Sequence, residues 1–177
     1  MNGKVIASLI VLMAVIAGGW MYYLQVYAFY ETVAAETMGD VELVSVTSEM
    51  PEAILATDVT AIDADSSPIR FRACFVTPMS QALLTESYVL YDDPVPLTAP
   101  DWFECFDAQS IGDALADGTA LAFTGEENIA YGVDRVVAIF EDGRGYIWHQ
   151  LNNCGRKAYD GSPLGPECPP RDASESN

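Results

Sequence analysis

One histidine, four cysteines and a few groups of carboxylates are the side chains of this 177-residue chain whose types and spacing could do chemistry. His149 stands in Tyr146-Ile147-Trp148-His149-Gln150, where it would act as a general base or a metal ligand if it met water or an ion. A lone histidine among aromatic residues on a predicted strand more often holds a structural hydrogen bond, so His149 and its neighbour Trp148 are candidates without an assigned role. Cys74, Cys105, Cys154 and Cys168 contain no Cys-x-x-Cys and no spacing usual for zinc or thioredoxin-like chemistry. Asp58, Asp63 and Asp65 cluster as ligands for a hard cation would. A calcium loop opening at Asp63 would need glycine at Pro68 and a bidentate glutamate at Cys74, which favours a solvated edge. No Gly-x-Ser-x-Gly elbow, His-Glu-x-x-His pair or phosphate loop is present, so the residues point to no catalytic group, no metal and no cofactor.

The elements that must position these side chains begin with an uncharged run, Val5 to Tyr30, preceded by Lys4. At about 1.5 Å per residue a helix needs roughly 20 residues to cross a hydrocarbon core of about 30 Å, and this run is long enough. Val5 to Ala17 is almost wholly aliphatic, whereas Trp20, Tyr22, Tyr23, Tyr27, Phe29 and Tyr30 crowd the second part as an aromatic belt at the membrane interface. Tyr23, Tyr27 and Tyr30 share a helical face, suited to interface anchoring or to contact with another membrane helix. The helix is expected to continue through Glu31 to Met38, with Gly39 as its stop. A cleaved signal peptide competes, because Val15-Ile16-Ala17 and Val33-Ala34-Ala35 loosely meet the small-residue rule. The apolar run exceeds the roughly 7 to 15 residues of a signal peptide, which favours an anchor.

Positive flanking charge is confined to the start, since after Lys4 no Lys or Arg occurs until Arg70. That bias puts the amino terminus in the cytoplasm, the anchor in the inner (plasma) membrane and the remainder in the periplasm. The 147 residues beyond the anchor suit one domain and carry seven Lys or Arg against 26 Asp or Glu. Such a field repels nucleic acid and anionic headgroups, leaving a cationic protein or a membrane complex as the expected kind of partner, with the helix as the membrane contact. On the oxidising side four cysteines imply two disulfides. Of three pairings, Cys74 with Cys105 and Cys154 with Cys168 is preferred, the second closing a Gly- and Pro-rich loop; each closure would stabilise by roughly 3 kcal/mol in the chain-entropy model.

Val41 to Thr47 and Val59 to Ala64 alternate weakly, as strands on either side of a Pro51 turn. Ile69, Phe71, Ala73 and Phe75 alternate with Arg70, Arg72 and Cys74, the pattern of a half-buried strand over Pro68 to Phe75, whose arginines are expected to pair with carboxylates. A helical turn over Thr77 to Leu84 and a strand over Ser87 to Tyr91 follow, and Asp92, Asp93, Pro94 and Pro96 open a loop to Pro100. Asp107 caps a helix through Asp117 that Gly118 ends. Gly125-Glu126-Glu127-Asn128 reads as a turn, and Val133 to Glu141 with Tyr146 to Leu151 as a hairpin around Asp142-Gly143, its first strand central. The fold class is α+β: an N-terminal transmembrane helix, then one small domain with an antiparallel sheet of about five strands and one main helix. The boundaries are a cytoplasmic start (1–4), the anchor (5–30), a helical extension or linker (31–40), the domain (41–160) and a Pro/Gly-rich disulfide loop with a mobile tail (161–177).

Met1-Asn2-Gly3-Lys4, Met21-Tyr22-Tyr23-Leu24-Gln25-Val26-Tyr27, Phe71-Arg72-Ala73-Cys74-Phe75, Trp102-Phe103-Glu104-Cys105-Phe106-Asp107 and Tyr131-Gly132-Val133-Asp134-Arg135 carry a likeness, joined by Gly145 to Cys154 and Lys157-Ala158-Tyr159-Asp160-Gly161. By these the chain resembles an uncharacterised family of small single-pass membrane proteins of alphaproteobacteria. The resemblance implies no activity and no functional residues. Some members bear an automated histidine kinase label, which this chain opposes: its one histidine lies on a predicted strand, outside the membrane, and no second domain fits. Two function classes remain, a membrane-tethered interaction or assembly protein, and an extracytoplasmic enzyme or thiol-redox factor using His149 or a cysteine pair.

Overall fold

Gly3–Tyr23 wind into a helix, α1, that continues as a π-helical turn over Leu24–Ala28 in the computed structural model, which describes residues 2–34, 38–162 and Cys168. None of its residues is buried against the chain. An all-round apolar surface of this length is what a lipid-crossing helix presents. The helix then stops earlier than the sequence suggests. Glu31–Val33 is a strand, β1, rather than a helical extension, because its backbone pairs antiparallel with a strand thirty residues on. Ala35, with the second small-residue site, lies outside the described residues, as do most of the disulfide loop and the tail.

The remaining elements are β2 (Glu42–Val44), β3 (Pro51–Ala53), β4 (Thr57–Asp63), β5 (Arg72–Val76), α2 (Gln81–Ser87), α3 (Ala108–Asp117), β6 (Ala120–Ala130), β7 (Val133–Phe140) and β8 (Arg144–Leu151). Six strands form one antiparallel sheet in the order β1-β4-β5-β8-β7-β6, and β2 and β3 form a separate hairpin. The architecture is α+β, as expected. Pro51 opens β3 instead of making the turn, which falls on the preceding residues.

Sequence alternation sorts the side chains onto two covered faces. Phe71, Ala73, Phe75, Val137, Ile139, Ile147 and Phe123 pack under the β2–β3 hairpin with Leu43 and with Leu84 of α2. Cys74, Val136, Ala138, Tyr146, Trp148 and Ala122 pack on the other face against Phe106 and Ile111 of α3. The strand around Phe71 is therefore buried on both sides rather than half-buried, and Arg72 lies inside with it. The expected strand at Ser87 to Tyr91 makes only single bridges, Ser45 to Tyr88 and Leu90 to Phe123. It stitches the hairpin to the sheet, with Val89 donating to Val44 O and accepting from Thr124 N.

Local chemistry set the clearest elements. Asp107 Oδ1 accepts from Gln109 N and Ser110 N at the start of α3, and Gly118 ends it with φ 82°. Asp142 and Gly143, with φ 87° at the glycine, turn β7 into β8. The Gly125-Glu126-Glu127-Asn128 stretch is not a turn. It is the bulged middle of β6, where the register with β7 shifts, and the chain reverses at Gly132. Both disulfides close: Cys74 with Cys105, Cα atoms 6.3 Å apart, and Cys154 with Cys168, 5.5 Å apart. Gly145 on β8 lies under the Phe75 ring so closely that a β-carbon would overlap it. Gly145→Ala should therefore destabilise the full-length protein by about 1–3 kcal/mol, read as a lower urea midpoint in detergent micelles.

Candidate functional site

His149 sits on β8 opposite Arg135 of β7, 6 % exposed and stacked on Phe71 with ring centroids 4.8 Å apart. Its Nδ1–H donates to Pro68 O at 2.7 Å, and its Nε2 accepts from Arg135 Nε at 3.1 Å. A carbonyl can only accept and a guanidinium can only donate, so the tautomer is fixed and both ring nitrogens are committed. Burial pulls the imidazole pKa down to about 4, aided by the charges of Arg135 and Arg72 and opposed by the Pro68 bond. A neutral ring with no free nitrogen is a strut between β8, β7 and the loop before β5. Trp148 is fully buried on the opposite face, its indole N–H donating to Gln150 Oε1 at 3.0 Å.

Arg72 does not pair with a carboxylate. It donates to four backbone carbonyls, those of Ile69, Phe71, Leu97 and Thr98, with its guanidinium 5.8 Å from the Phe106 ring centre. Burial lowers its pKa to about 10, which leaves it charged at neutral pH. Arg70 likewise has no carboxylate partner among the described residues. Its guanidinium carbon lies 5.5 Å from the centre of the Tyr30 ring, and its Nη1 is buried without a hydrogen-bond partner. The ion pairs among the described residues are Arg135 with Glu126 at 4.0 Å and Arg144 with Asp142 at 2.8 Å.

Arg70 meets the chain at Tyr30, where it leaves the N-terminal helix. The Trp102 indole N–H donates to Val26 O at 2.8 Å, capping a carbonyl at the end of the π-helical turn, where helix carbonyls lack internal partners. Tyr30 packs edge-on against Trp102 at 6.2 Å. The Trp102 loop is itself held by the Cys105–Cys74 bond to the middle of the sheet. Of the other interface residues, Tyr23 stacks on Tyr27 at 6.0 Å and touches Trp20, while Tyr22 meets Tyr27 edge-on. Trp102, Val26 and Arg135, the partners that matter here, stood out in the sequence only within stretches that carry the family likeness, with no contact assigned to them. An isolated tryptophan in an acidic, Pro-rich loop was the available signal.

A cavity of about 620 Å³ opens beside this junction, lined by Phe29, Glu31, Asp63, Asp65, Phe71 and Arg135 among others. Its carboxylates do not converge. Asp63 Oδ1 is taken by the N–H of Ala64, and no group of three potential metal ligands occurs among the described residues. Next to Arg135 at the start of β7, Asp134 accepts from Tyr91 OH, Asn128 N and Asn152 Nδ2 at 2.8–3.0 Å, a closed network that fastens the Cys154 turn to the sheet. Burial, reinforced by Asp134, pushes the Tyr91 phenol upward, so it stays a donor.

A family model described as a family of unknown function, DUF6446, matches residues 41–169. The chain belongs to the DUF6446 family. The DUF6446 match takes in all four cysteines, His149 and Trp102, and begins after α1 and β1. No curated protein and no solved structure matches the chain. DUF6446 membership brings no activity with it and lends no support to a histidine kinase label.

Since the folded imidazole binds its proton with a pKa of about 4 against 6.5 when free, the unfolded state protonates first as pH falls. Stability carried by His149 is thus complete above pH 6.5 and is lost between pH 6.5 and 4, on the order of 3 kcal/mol. Unfolding of the wild type should steepen with acid across that window more than unfolding of His149→Gln. Trp102→Phe, which removes the indole N–H at a cost of about 1 kcal/mol, should raise protease cleavage between β1 and the anchor about fivefold in liposomes.

Proposed function

We propose that this DUF6446 protein is a single-pass, membrane-tethered accessory or assembly protein whose acidic domain stands in the periplasm and binds a protein partner without transforming it. The observation that carries this reading is the fate of the reactive groups. His149 has both nitrogens committed, and Cys74, Cys105, Cys154 and Cys168 are all in disulfides. The alternative, an extracytoplasmic enzyme or thiol-redox factor, would have to use these same groups, and their burial and pairing speak against it.

Lys4 on one flank of α1 and the disulfides on the other side support the orientation. Residues 73–134 contain no Lys or Arg. Within that stretch Asp101, Glu104, Asp107, Asp113 and Asp117 are exposed on α3 and the loop before it. A face so one-signed attracts a cationic surface on the same membrane and speeds its encounter.

The test is a mild-detergent pull-down of the full-length protein from its native membranes, with low-salt and high-salt washes. A stoichiometric companion should leave at high salt, because screening shortens the field below its reach of about 8 Å at physiological ionic strength. Asp113→Lys with Asp117→Lys should weaken its capture at low salt. A companion indifferent to salt and to these charges would remove the acidic face from the account, and a solitary protein would remove the partner.

A further inference from the structure

Where the hairpin meets β6, apolar side chains and carboxylates share one groove. Val44 of β2, Pro51 of β3 and Val89, in the segment that stitches the hairpin to β6, line it together with Glu49, Glu126 and Glu127, and its volume is about 470 Å³. Val89 and Glu127 also border a second hollow of about 510 Å³, whose wall includes the exposed Leu90, Asp92, Asp93 and Leu151. Glu126 lies 4.0 Å from Arg135, whereas Glu49 and Glu127 are exposed and make no ion pair among the described residues. Arg156 is the one basic residue along either hollow, because residues 5–69 and 73–134, which supply all of the first and much of the second, contain no Lys or Arg. Glu49 is moreover held at φ 57°, a left-handed backbone that glycine or asparagine adopts at less cost. A glutamate kept there against its own backbone preference points to a use for the carboxylate beyond the turn.

These carboxylates are dispersed, and no group of three potential metal ligands occurs among the described residues. Charges spaced along apolar surface match a chain that carries cationic side chains with apolar ones between them. We propose that this groove docks an extended basic segment of a partner protein, its lysines or arginines meeting Glu49 and Glu127 and its intervening apolar side chains covering Val44, Pro51 and Val89. Charge complementarity selects this occupant. A nucleic acid, or a second copy of a chain with net charge −18, would bring its own negative field to the same rim. The inference rests on the reading of this chain as a binding protein, and it gives the partner a point of attachment apart from the acidic face of α3.

The experiment measures fluorescence anisotropy of a short fluorescein-labelled peptide in which lysines alternate with valines, titrated with the full-length protein in non-ionic detergent micelles. The wild type should bind it, and should bind a version with serine in place of valine, or glutamate in place of lysine, at least tenfold more weakly. Glu127→Lys should lower the affinity about tenfold, because it sets a like charge against the peptide. Glu49→Gly should lower it about threefold while its urea midpoint stays at or above that of the wild type, since glycine relieves the left-handed backbone, so the loss cannot be laid to unfolding. Asp113→Lys with Asp117→Lys should match the wild type. No binding by the wild type, equal binding of the serine peptide, or a loss in the α3 variant in place of the groove variants would each overturn the proposal. A dimer in light scattering that Glu127→Lys disperses would give the groove to a second copy and overturn it too. Failure here with a companion still recovered from native membranes would sink the groove alone, whereas peptide bound by a protein that proves solitary in those membranes would sink the partner reading and leave the groove's chemistry standing.

Discussion

Burial of β5, β8 and β7 on both faces is the constraint from which the rest of this structure follows. A strand covered on one side can place its polar residues in water, but here every second position also points into protein. Each polar group on these strands must then find a partner inside the fold, since an unmade bond there costs about 1–3 kcal/mol. Arg72 finds four carbonyls, His149 a carbonyl and a guanidinium, Asp134 three donors, and Gln150 the Trp148 indole and the Val95 amide. Residues that look reactive along the sequence are the couplings between layers.

The same arrangement shapes the electrostatics. Arg72 and Arg135 are drawn into the interior, where they hold loops to strands, and Arg144 is spent on its own turn. Little positive charge is left to offset the carboxylates of the surface. The acidity of the exterior is therefore a consequence of how the interior is wired as well as of composition. Arg70, beside Tyr30 at the end of the N-terminal helix, and the exposed Arg156 and Lys157 are the exceptions among the described residues.

Elements governed by local chemistry were legible from the residues alone. Asp107 and Gly118 bracket α3 because a cap and a left-handed stop act within a few residues, and Asp142-Gly143 makes its hairpin for the same reason. The pairing of Cys154 with Cys168 followed from the short loop between them. What failed depends on distant partners. Glu31 to Met38 holds several good helix formers, yet a neighbouring strand claims the backbone of Glu31 to Val33, two of whose three residues are β-branched. Gly125 to Asn128 has the residues of a turn, but β7 runs alongside and absorbs them as a bulge. The arginines were expected to seek carboxylates, because no reading of one strand shows that carbonyls of the 97–98 loop lie against it. His149 could be recognised as structural in kind, while its partner Arg135, fourteen residues away, needed the register of β7 on β8.

Only two residues separate the end of the π-helical turn from β1, and β1 is the edge strand that completes the six-stranded sheet. A protease or peptidase cutting just behind β1 would not liberate an intact domain. It would leave the edge strand, Tyr30 and the Trp102 acceptor with the N-terminal helical stub, and would strip the departing part of a strand that covers β4. Detachment and damage are thus the same event in this molecule, so its lifetime as a folded domain is tied to keeping its N-terminal helix.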